Sequence, residues 1–206
     1  MDFKRTVLEE GMNIFQQHGI NRLSMETILG KLDISRGTLS EIAKSKTELL
    51  AQCIEVTLSQ RKEQFANIIE QADNAVEAVL ILLRVNLKTI TGHHPDFLND
   101  LRSHHQECWQ KMQVFSEQHL KVYLNQLFSI GMEQQIFRPE LNPELLSNLL
   151  LAQTNAIIDT GLLNQTDVNF NDVYKMGFEY YLRGLLTEKG LPLLEAKLIS
   201  MAQPVV

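Results

Sequence analysis

Basic, hydroxyl and carboxylate side chains are concentrated in one short segment before residue 50, and their chemistry suits contact with a nucleic acid. They are Lys31, Arg36, Thr38, Ser40, Glu41, Lys44 and Lys46. Ammonium and guanidinium groups hold phosphates, whereas hydroxyl and carboxylate groups can contact base edges in the major groove. Lys46 is the first choice for a phosphate contact, because free amides and positive potential meet at a helix N-terminus. A charged surface that only faces solvent is the alternative for each of these residues.

A second group of interest is formed by His93-His94 and His104-His105, with Cys108 close behind. His104 and Cys108 are four positions apart, a spacing that can chelate a transition metal on one helix face. Adjacent histidines point to different faces of a helix, however, and no third and fourth ligand is evident. A nucleophile with a neighbouring base and a glycine-rich phosphate loop cannot be placed either. We therefore predict no metal, no cofactor and no catalytic residue.

The composition is that of a folded protein and excludes several classes. The chain has 206 residues, 44% of them hydrophobic and 21% charged, with a formal net charge of -6 and a mean hydropathy of -0.12. Its longest apolar run, residues 78–83, is far shorter than the roughly 20 residues that cross a bilayer. The N-terminus lacks the apolar stretch of a secretory signal, so we expect a cytoplasmic protein without membrane contact. Basic and acidic residues balance in the first fifty positions, so the net negative charge lies in the remainder.

Helical periodicity and helix caps predict how the segment before residue 50 is positioned. The first helix ends near His18, because Gly19 can take the left-handed conformation that follows a helix. Ser24 and Ser35 can cap two further helices, the second of which ends at Ile42. Since two residues separate them, these helices must cross sharply, which is a helix-turn-helix arrangement.

The rest of the chain has the pattern of a helical body. Residues 45–48 have the sequence Ser-Lys-Thr-Glu, a capping box, so a long helix starts there and continues to residue 69. Further helices are predicted at 75–91, 95–103, 105–134, 143–163, 171–187 and 193–202. Strand alternation is nearly absent, so we predict an all-α fold of about nine helices or more, with domains at residues 1–48 and 49–206.

Several blocks of residues between positions 7 and 50 have a characteristic spacing. They are Val7-Leu8, Ile14-Phe15, Gly19, Ser24-Met25, Ile28, Ile34 to Leu39 and Lys44 to Leu49. Together they resemble the DNA-binding domain of the TetR family of transcriptional regulators. The resemblance implies a recognition helix that begins at Arg36, and it adds Gly37 to the DNA-contacting residues. It also implies a homodimer on double-stranded DNA at a palindromic operator, and repression that a small-molecule inducer relieves.

The resemblance further implies an inducer pocket and a dimer interface in the body. The aromatic and methionine residues that suit the pocket are Phe97, Trp109, Met112, Phe115 and Tyr123. Apolar stripes on the last two long helices suit an intersubunit four-helix bundle. They comprise Leu146, Leu149, Leu150, Gln153 and Ile157 on one helix and Tyr174, Phe178, Tyr181 and Leu185 on the other. Packing in the core of one protomer is the alternative for both sets.

Some positions depart from the family pattern. Ser40 and Ala43 stand where an aromatic pair is usual, and Asp33 stands where a turn glycine is usual, although Asp tolerates the left-handed conformation. Glu41 brings a carboxylate that the DNA backbone repels but that can accept a hydrogen bond from a cytosine amino group. A second hypothesis is therefore a TetR-like dimer that binds a ligand or a protein without sequence-specific DNA binding. A helical enzyme that uses the body cavity is the third.

Overall fold

The computed structural model describes residues 3–159 and 169–202 and is built of helices joined by short loops. The first six helices are α1 (Phe3–His18), α2 (Met25–Leu32), α3 (Arg36–Ile42), α4 (Lys46–Gln71), α5 (Ala75–Thr91) and α6 (Pro95–His104). Their bounds agree with the predicted helices to within a few residues. The predicted all-α class is confirmed.

The caps predicted for the first three helices are present. Gly19 follows α1 in the left-handed region, with φ 77°, and Asp33 ends α2 in the same region, with φ 53°. The hydroxyl oxygens of Ser24 and Ser35 each accept a hydrogen bond from the amide three residues later, at 3.1 and 3.0 Å. The short turn between α2 and α3 therefore forms the predicted helix-turn-helix.

The start of α4 carries the predicted capping box, with one difference. Ser45 Oγ accepts a hydrogen bond from the amide of Glu48 at 3.1 Å. The carboxylate of Glu48 accepts one in return at 2.8 Å, but from the amide of Lys44 and not from that of Ser45. Both bonds satisfy amides that the helix itself leaves without a partner, so they stabilise its first turn.

Two pairs of the later helices are joined by a π-helical turn. The later helices are α7 (Gln106–Phe115), α8 (Lys121–Glu133), α9 (Pro143–Asp159), α10 (Phe170–Tyr174), α11 (Tyr180–Leu185) and α12 (Leu191–Ala202). The π-turns are Ser116–Leu120, between α7 and α8, and Lys175–Glu179, between α10 and α11. The sequence pattern instead predicts uninterrupted helices at 105–134 and 171–187, because a π-turn adds a residue without ending the apolar stripe. The predicted helix end at residue 163 lies outside the described residues.

No helix in the described part of the chain combines the length and the apolar character needed to cross a bilayer.

The chain divides into two compact units, the first comprising residues 1–64 and 92–115 and the second residues 65–91 and 116–206. The boundary predicted after residue 48 differs from this division and stays a prediction of where the DNA-binding module ends. The difference arises because α4, α6 and α7 share a buried cluster with α1 to α3. From these later helices the cluster includes Leu49, Leu50, Cys53, Ile54, Phe97, Leu101 and Cys108.

The second unit has a core of its own. Phe128 and Phe137 are fully buried, and their rings meet edge to face with centroids 5.1 Å apart. The hydroxyl of Tyr174 donates to the carbonyl of Leu80 at 3.0 Å, which links α10 to α5. An isolated antiparallel bridge joins Phe137 to Leu186.

Both cysteines are free thiols buried within the first unit. Burial raises the pKa of the Cys53 thiol to about 12, and it also raises the pKa of the Cys108 thiol. Cys53 packs against α1, where a β-carbon added at Gly11 would lie 3.1 Å from its sulfur. Since the thiolate is the reactive form, burial lowers the reactivity of both thiols.

Candidate nucleic-acid interface

The recognition helix α3 buries one face and exposes the other. Leu39 and Ile42 pack into the core of the first unit, with 1% and 8% of their surface exposed. The exposed residues of α3 are Arg36, Gly37, Ser40 and Glu41. The outer face of this helix therefore carries most of the residues predicted to contact bases.

The two hydroxyl residues of α3 are hydrogen-bonded locally. Thr38 Oγ1 lies 2.8 Å from Ser35 Oγ, and Ser40 Oγ donates to the carbonyl of Gly37 at 2.7 Å. A β-carbon added at Gly37 would have Ser35 Oγ as its nearest neighbour, at an ordinary 3.6 Å. The fold therefore does not itself require glycine at position 37. The hydroxyls of Thr38 and Ser40 would have to rotate out of these local bonds to contact a base.

The two charged residues of α3 differ in their surroundings. Arg36 forms an ion pair with Glu26 of α2, and both side chains are more than two-thirds exposed. An exposed pair of this kind contributes little to stability, so Arg36 can exchange it for a contact with DNA. Glu41 is exposed and has no ion-pair partner among the described residues. Sequence spacing does not indicate the partner Glu26, because ten positions between two residues is not a helical spacing and only the fold brings them together.

The unusual residue at position 43 affects packing and not the outer face of α3. Ala43 ends the helix in an extended conformation and is 2% exposed. It belongs to the same buried cluster as Leu39 and Ile42. Of the two positions where an aromatic residue is usual, Ser40 alone therefore alters the solvent-facing surface.

The basic residues around α3 fall into two groups. Lys31 and Lys44 are exposed and stay candidates for phosphate contacts. The ammonium of Lys46 is instead directed inward, where it donates to the carbonyl oxygens of Ile20 at 3.1 Å and Leu23 at 3.0 Å. Lys46 lies at a helix N-terminus, the position that suggests a phosphate contact. Its side chain is nevertheless long enough to reach the loop between α1 and α2, where it has an internal role.

The residues predicted for the inducer pocket divide between the two units. Phe97 is fully buried and Phe115 is 8% exposed, while Trp109 and Met112 pack partly buried against the core of the first unit. Tyr123 belongs to the second unit. A groove of about 240 Å³ in the first unit is lined by Lys4, Arg5, Leu8, Val56, Ser59 and Gln60. None of the predicted pocket residues lines this groove, and their role in an inducer pocket stays a prediction.

Most residues predicted for the dimer interface face the core of their own protomer. Exposed fractions of 8% or less belong to Leu146, Leu150, Ile157, Tyr174, Phe178 and Leu185. Gln153 and Tyr181 are partly buried. The large apolar residues that these helices expose, by 48% to 73%, are Leu145, Leu149, Met176 and Tyr180. An intramolecular core also produces a continuous apolar stripe, so the dimer interface at these residues stays a prediction. Of the predicted stripe, Leu149 is exposed.

The histidine and cysteine pair at positions 104 and 108 does not share a helix. α6 ends at His104 and α7 begins at Gln106, so the four-residue spacing spans a helix break. His104 is exposed while Cys108 is buried. In residues 3–159 and 169–202, no three His, Cys, Asp or Glu side chains converge as metal ligands would.

A helix-turn-helix with an exposed second helix, carried by an all-α chain, is the arrangement typical of DNA-binding regulators of transcription. Residues 7–53 match the family described as bacterial regulatory proteins, tetR family. The match concerns the helix-turn-helix region, helices α1 to α3 and the start of α4. The chain is 23% identical over 156 residues to the HTH-type transcriptional regulator YvaF of Bacillus subtilis (strain 168). The aligned residues make up 75% of this chain and 80% of YvaF.

Solved structures of regulators share the fold. The ketosteroid transcriptional regulator KstR2 of Mycobacterium tuberculosis has a TM-score of 0.63 at 18% identity, covering 91% of this chain and 97% of KstR2. The regulator FadR of Bacillus subtilis, solved in complex with stearoyl-CoA, has a TM-score of 0.64 at 15% identity, covering 84% of this chain and 94% of FadR. At these identities the likeness concerns the fold.

Proposed function

We propose that the chain represses transcription by binding a palindromic operator as a homodimer and leaving it when a small molecule binds. The observation that carries this proposal is the exposed face of α3, which presents Arg36, Ser40 and Glu41 while its other face is anchored in the core. A helix of this kind fits the major groove. One such helix reads few base pairs, so two of them on a two-fold dimer supply the missing specificity.

Each exposed group has a contact that its chemistry favours. Arg36, released from Glu26, can donate two hydrogen bonds to a guanine, and Glu41 can accept one from a cytosine amino group. Thr38 and Ser40 can contact either kind of base after rotation. Lys31 and Lys44 can hold phosphates, which contribute affinity without sequence preference.

Selection of bound sites from random duplex DNA tests this function directly. We expect an enriched palindrome whose half-sites lie about one or two helical turns apart, and an affinity that falls steeply as salt is raised. The small and acidic residues Ser40, Glu41 and Ala43 favour the alternative, a TetR-like dimer without sequence-specific DNA binding. Binding that shows no preference over random duplex at low salt would establish that alternative and contradict the proposal.

Two substitutions separate base contacts from phosphate contacts. Glu41→Ala should change the preferred base at one position of each half-site. Lys44→Ala should weaken binding to all duplexes equally and reduce the slope of log affinity against log salt by about 0.9 for each phosphate that the lysine neutralises. Glu63→Ala, which removes an exposed carboxylate of α4, is the matched control and should alter neither property. Equal weakening by the first two variants on all sequences would contradict these roles.

The exposed apolar residues Leu145, Leu149, Met176 and Tyr180 support the homodimer. We propose that they form its interface, since apolar side chains this exposed in a soluble chain are stabilised by burial against a partner. Leu149→Glu should weaken the dimer by about a hundredfold or more, because a charge would be buried without a partner. Sedimentation equilibrium measures the change. Ile199→Glu is the control, because Ile199 is 62% exposed on α12 outside this surface.

A small-molecule ligand is supported by the fold shared with FadR, which was solved with stearoyl-CoA. We propose that an amphipathic molecule of this kind displaces apolar contacts around Phe97, Trp109, Met112 and Phe115; Tyr123 stays a predicted pocket residue. Trp109 is the sole tryptophan of the chain, so its fluorescence reports binding. Stearoyl-CoA should shift the emission and release DNA, whereas CoA alone should do neither; a shift without release would contradict induction.

A further inference from the structure

The loop between α1 and α2 is held by one carboxylate from a distant part of the chain. Asp100, on α6, accepts three hydrogen bonds from this loop, all at 2.8 Å. Its Oδ2 atom accepts from the backbone amides of Ile20 and Asn21, and its Oδ1 atom accepts from the side-chain amide of Asn21. A carboxylate bound in this way fixes two successive residues of the loop, and hydrogen bonds to a charged acceptor are stronger than those between neutral groups.

Lys46 holds the same loop through its carbonyl groups. Its ammonium donates to Ile20 at 3.1 Å and to Leu23 at 3.0 Å, so Ile20 is held through its amide by Asp100 and through its carbonyl by Lys46. A neighbouring ion pair adds to this arrangement. Arg22 pairs with Asp96 of α6 at 2.7 Å.

This loop ends at Ser24, the N-cap of α2, so its conformation sets the point and direction at which α2 begins. α2 is anchored by Ile28, which is fully buried, and is followed by α3 after a short turn. A shift of the loop would therefore move the whole helix-turn-helix relative to α4 and α6. α6 and residues 46–64 of α4 belong to the same compact unit as the loop.

We propose that Asp100 and Lys46 are positioning residues for DNA binding, which hold the α1–α2 loop from its amide side and its carbonyl side. This inference rests on the proposed function, because it concerns affinity for DNA. It assigns Lys46 an indirect role, because its ammonium donates two hydrogen bonds to the loop. Removal of Lys46 should therefore change the position of the helix-turn-helix, α2 and α3, and not the number of phosphates that the protein neutralises.

The salt dependence of DNA binding separates the two roles of a lysine. Lys46→Met should lower affinity by about tenfold, the effect of removing hydrogen bonds to a charged group, with the salt slope unchanged. Lys44→Met, the matched control at an exposed neighbour, should reduce that slope by about 0.9 for each phosphate that the lysine neutralises. A reduction of the slope by Lys46→Met would make Lys46 a phosphate ligand and overturn its assignment.

Asp100 is tested by amide hydrogen exchange together with DNA affinity. Asp100→Ala should speed exchange at Ile20 and Asn21 and lower affinity by about tenfold, while Asp100→Asn, which keeps one acceptor, should have a smaller effect on both. Asn99→Ala, at the exposed neighbouring position, is the control. Asp100→Ala combined with Lys46→Met should lower affinity by less than the two single effects together, because both act on one loop.

Several outcomes distinguish failure of this inference from failure of the proposed function. Unchanged exchange at Ile20 and Asn21 in Asp100→Ala would overturn the inference, whatever the DNA result. Faster exchange with unchanged DNA affinity would also overturn it, because the loop would then have no role in positioning. Absence of sequence-specific binding by the unaltered chain would contradict the proposed function and also the positioning role, but the exchange data would still establish whether Asp100 holds the loop. Asp100→Asn provides the affinity comparison if Asp100→Ala does not fold.

Discussion

The two connections within the helix-turn-helix region are stabilised in different ways. The turn between α2 and α3 is local: Asp33 takes the left-handed conformation, its amide and that of Ile34 bond back to Leu29, and Ser35 caps the next helix. The loop between α1 and α2 also contains a left-handed residue, Gly19, and one local bond, from the amide of Leu23 to the carbonyl of Ile20. The side chains that hold it, however, come from residues 23 to 84 positions away. One connection is therefore specified by its own residues, while the other depends on the folded unit around it.

This difference bears on how the helix-turn-helix, α2 and α3, is positioned. The turn between α2 and α3 is held by a few neighbouring residues, so we expect it to tolerate changes elsewhere. The α1–α2 loop is held by Asp100 and Lys46, so we expect distant changes to alter the position of α2 relative to α4 and α6. Substitutions at the two connections can break or sharpen this contrast.

The largest effect is expected at Gly19, compared with the same substitution at Gly30. Gly19→Ala should lower the free energy of unfolding by about 1–2 kcal/mol or more, since a side chain is strained at a φ of 77° and its β-carbon would lie 3.2 Å from Asp96 Cβ. Gly30→Ala lies in helix α2 with nothing within 4 Å and should raise that free energy by about 0.5–1 kcal/mol. Urea denaturation measures both. A Gly19→Ala variant as stable as the parent would show that the loop adopts another conformation.

A smaller effect is expected from removing the two helix caps. Ser24→Ala and Ser35→Ala should each cost about 1 kcal/mol of stability, because each leaves a first-turn amide without its side-chain acceptor. The costs should be similar, since both hydroxyls accept the equivalent bond at nearly equal length. Thermal denaturation with calorimetry checks this. A much larger cost for Ser24 than for Ser35 would mean that its loop also weakens when the cap is removed.

The smallest effect is expected at Asp33. Asp33→Gly should change stability by a few tenths of a kcal/mol in either direction, because glycine adopts the left-handed conformation freely but is more flexible when unfolded. The same urea titrations measure it, with Asp33→Val as the contrasting variant, which should be destabilised by about 1–2 kcal/mol. A large destabilisation in Asp33→Gly would show that the carboxylate itself supports the turn.

The contrast also explains what could be predicted from the sequence. Gly19, Ser24, Ser35 and the box at 45–48 act on amides within a few residues, so their effect on helix ends is visible in the order of residues. Most helix bounds follow from such signals. The π-turns are not visible in this way, because one extra residue in a turn leaves the apolar pattern continuous.

The candidate site was predictable in part for the same reason. The exposed face of α3 follows from helical spacing around Leu39 and Ile42. The inward role of Lys46, the pairing of Arg36 with Glu26 and the hydrogen bonds of Asp100 are tertiary, and neither charge nor spacing indicates them. The exposed side of α9 is not indicated by the sequence either, because apolar residues occur on both sides of this helix and burial alone separates Leu150 from Leu149.

The buried thiols make the chain a convenient host for distance measurements. Cys53 and Cys108 are buried, so a maleimide spin label should reach an introduced surface cysteine far faster than either native sulfur. A cysteine introduced at exposed Asn13 of α1, as Asn13→Cys, would thus be the one labelled position in an otherwise unaltered background. In the proposed homodimer, pulsed electron resonance on the labelled protein would then report the separation of the two helix-turn-helix regions with and without DNA.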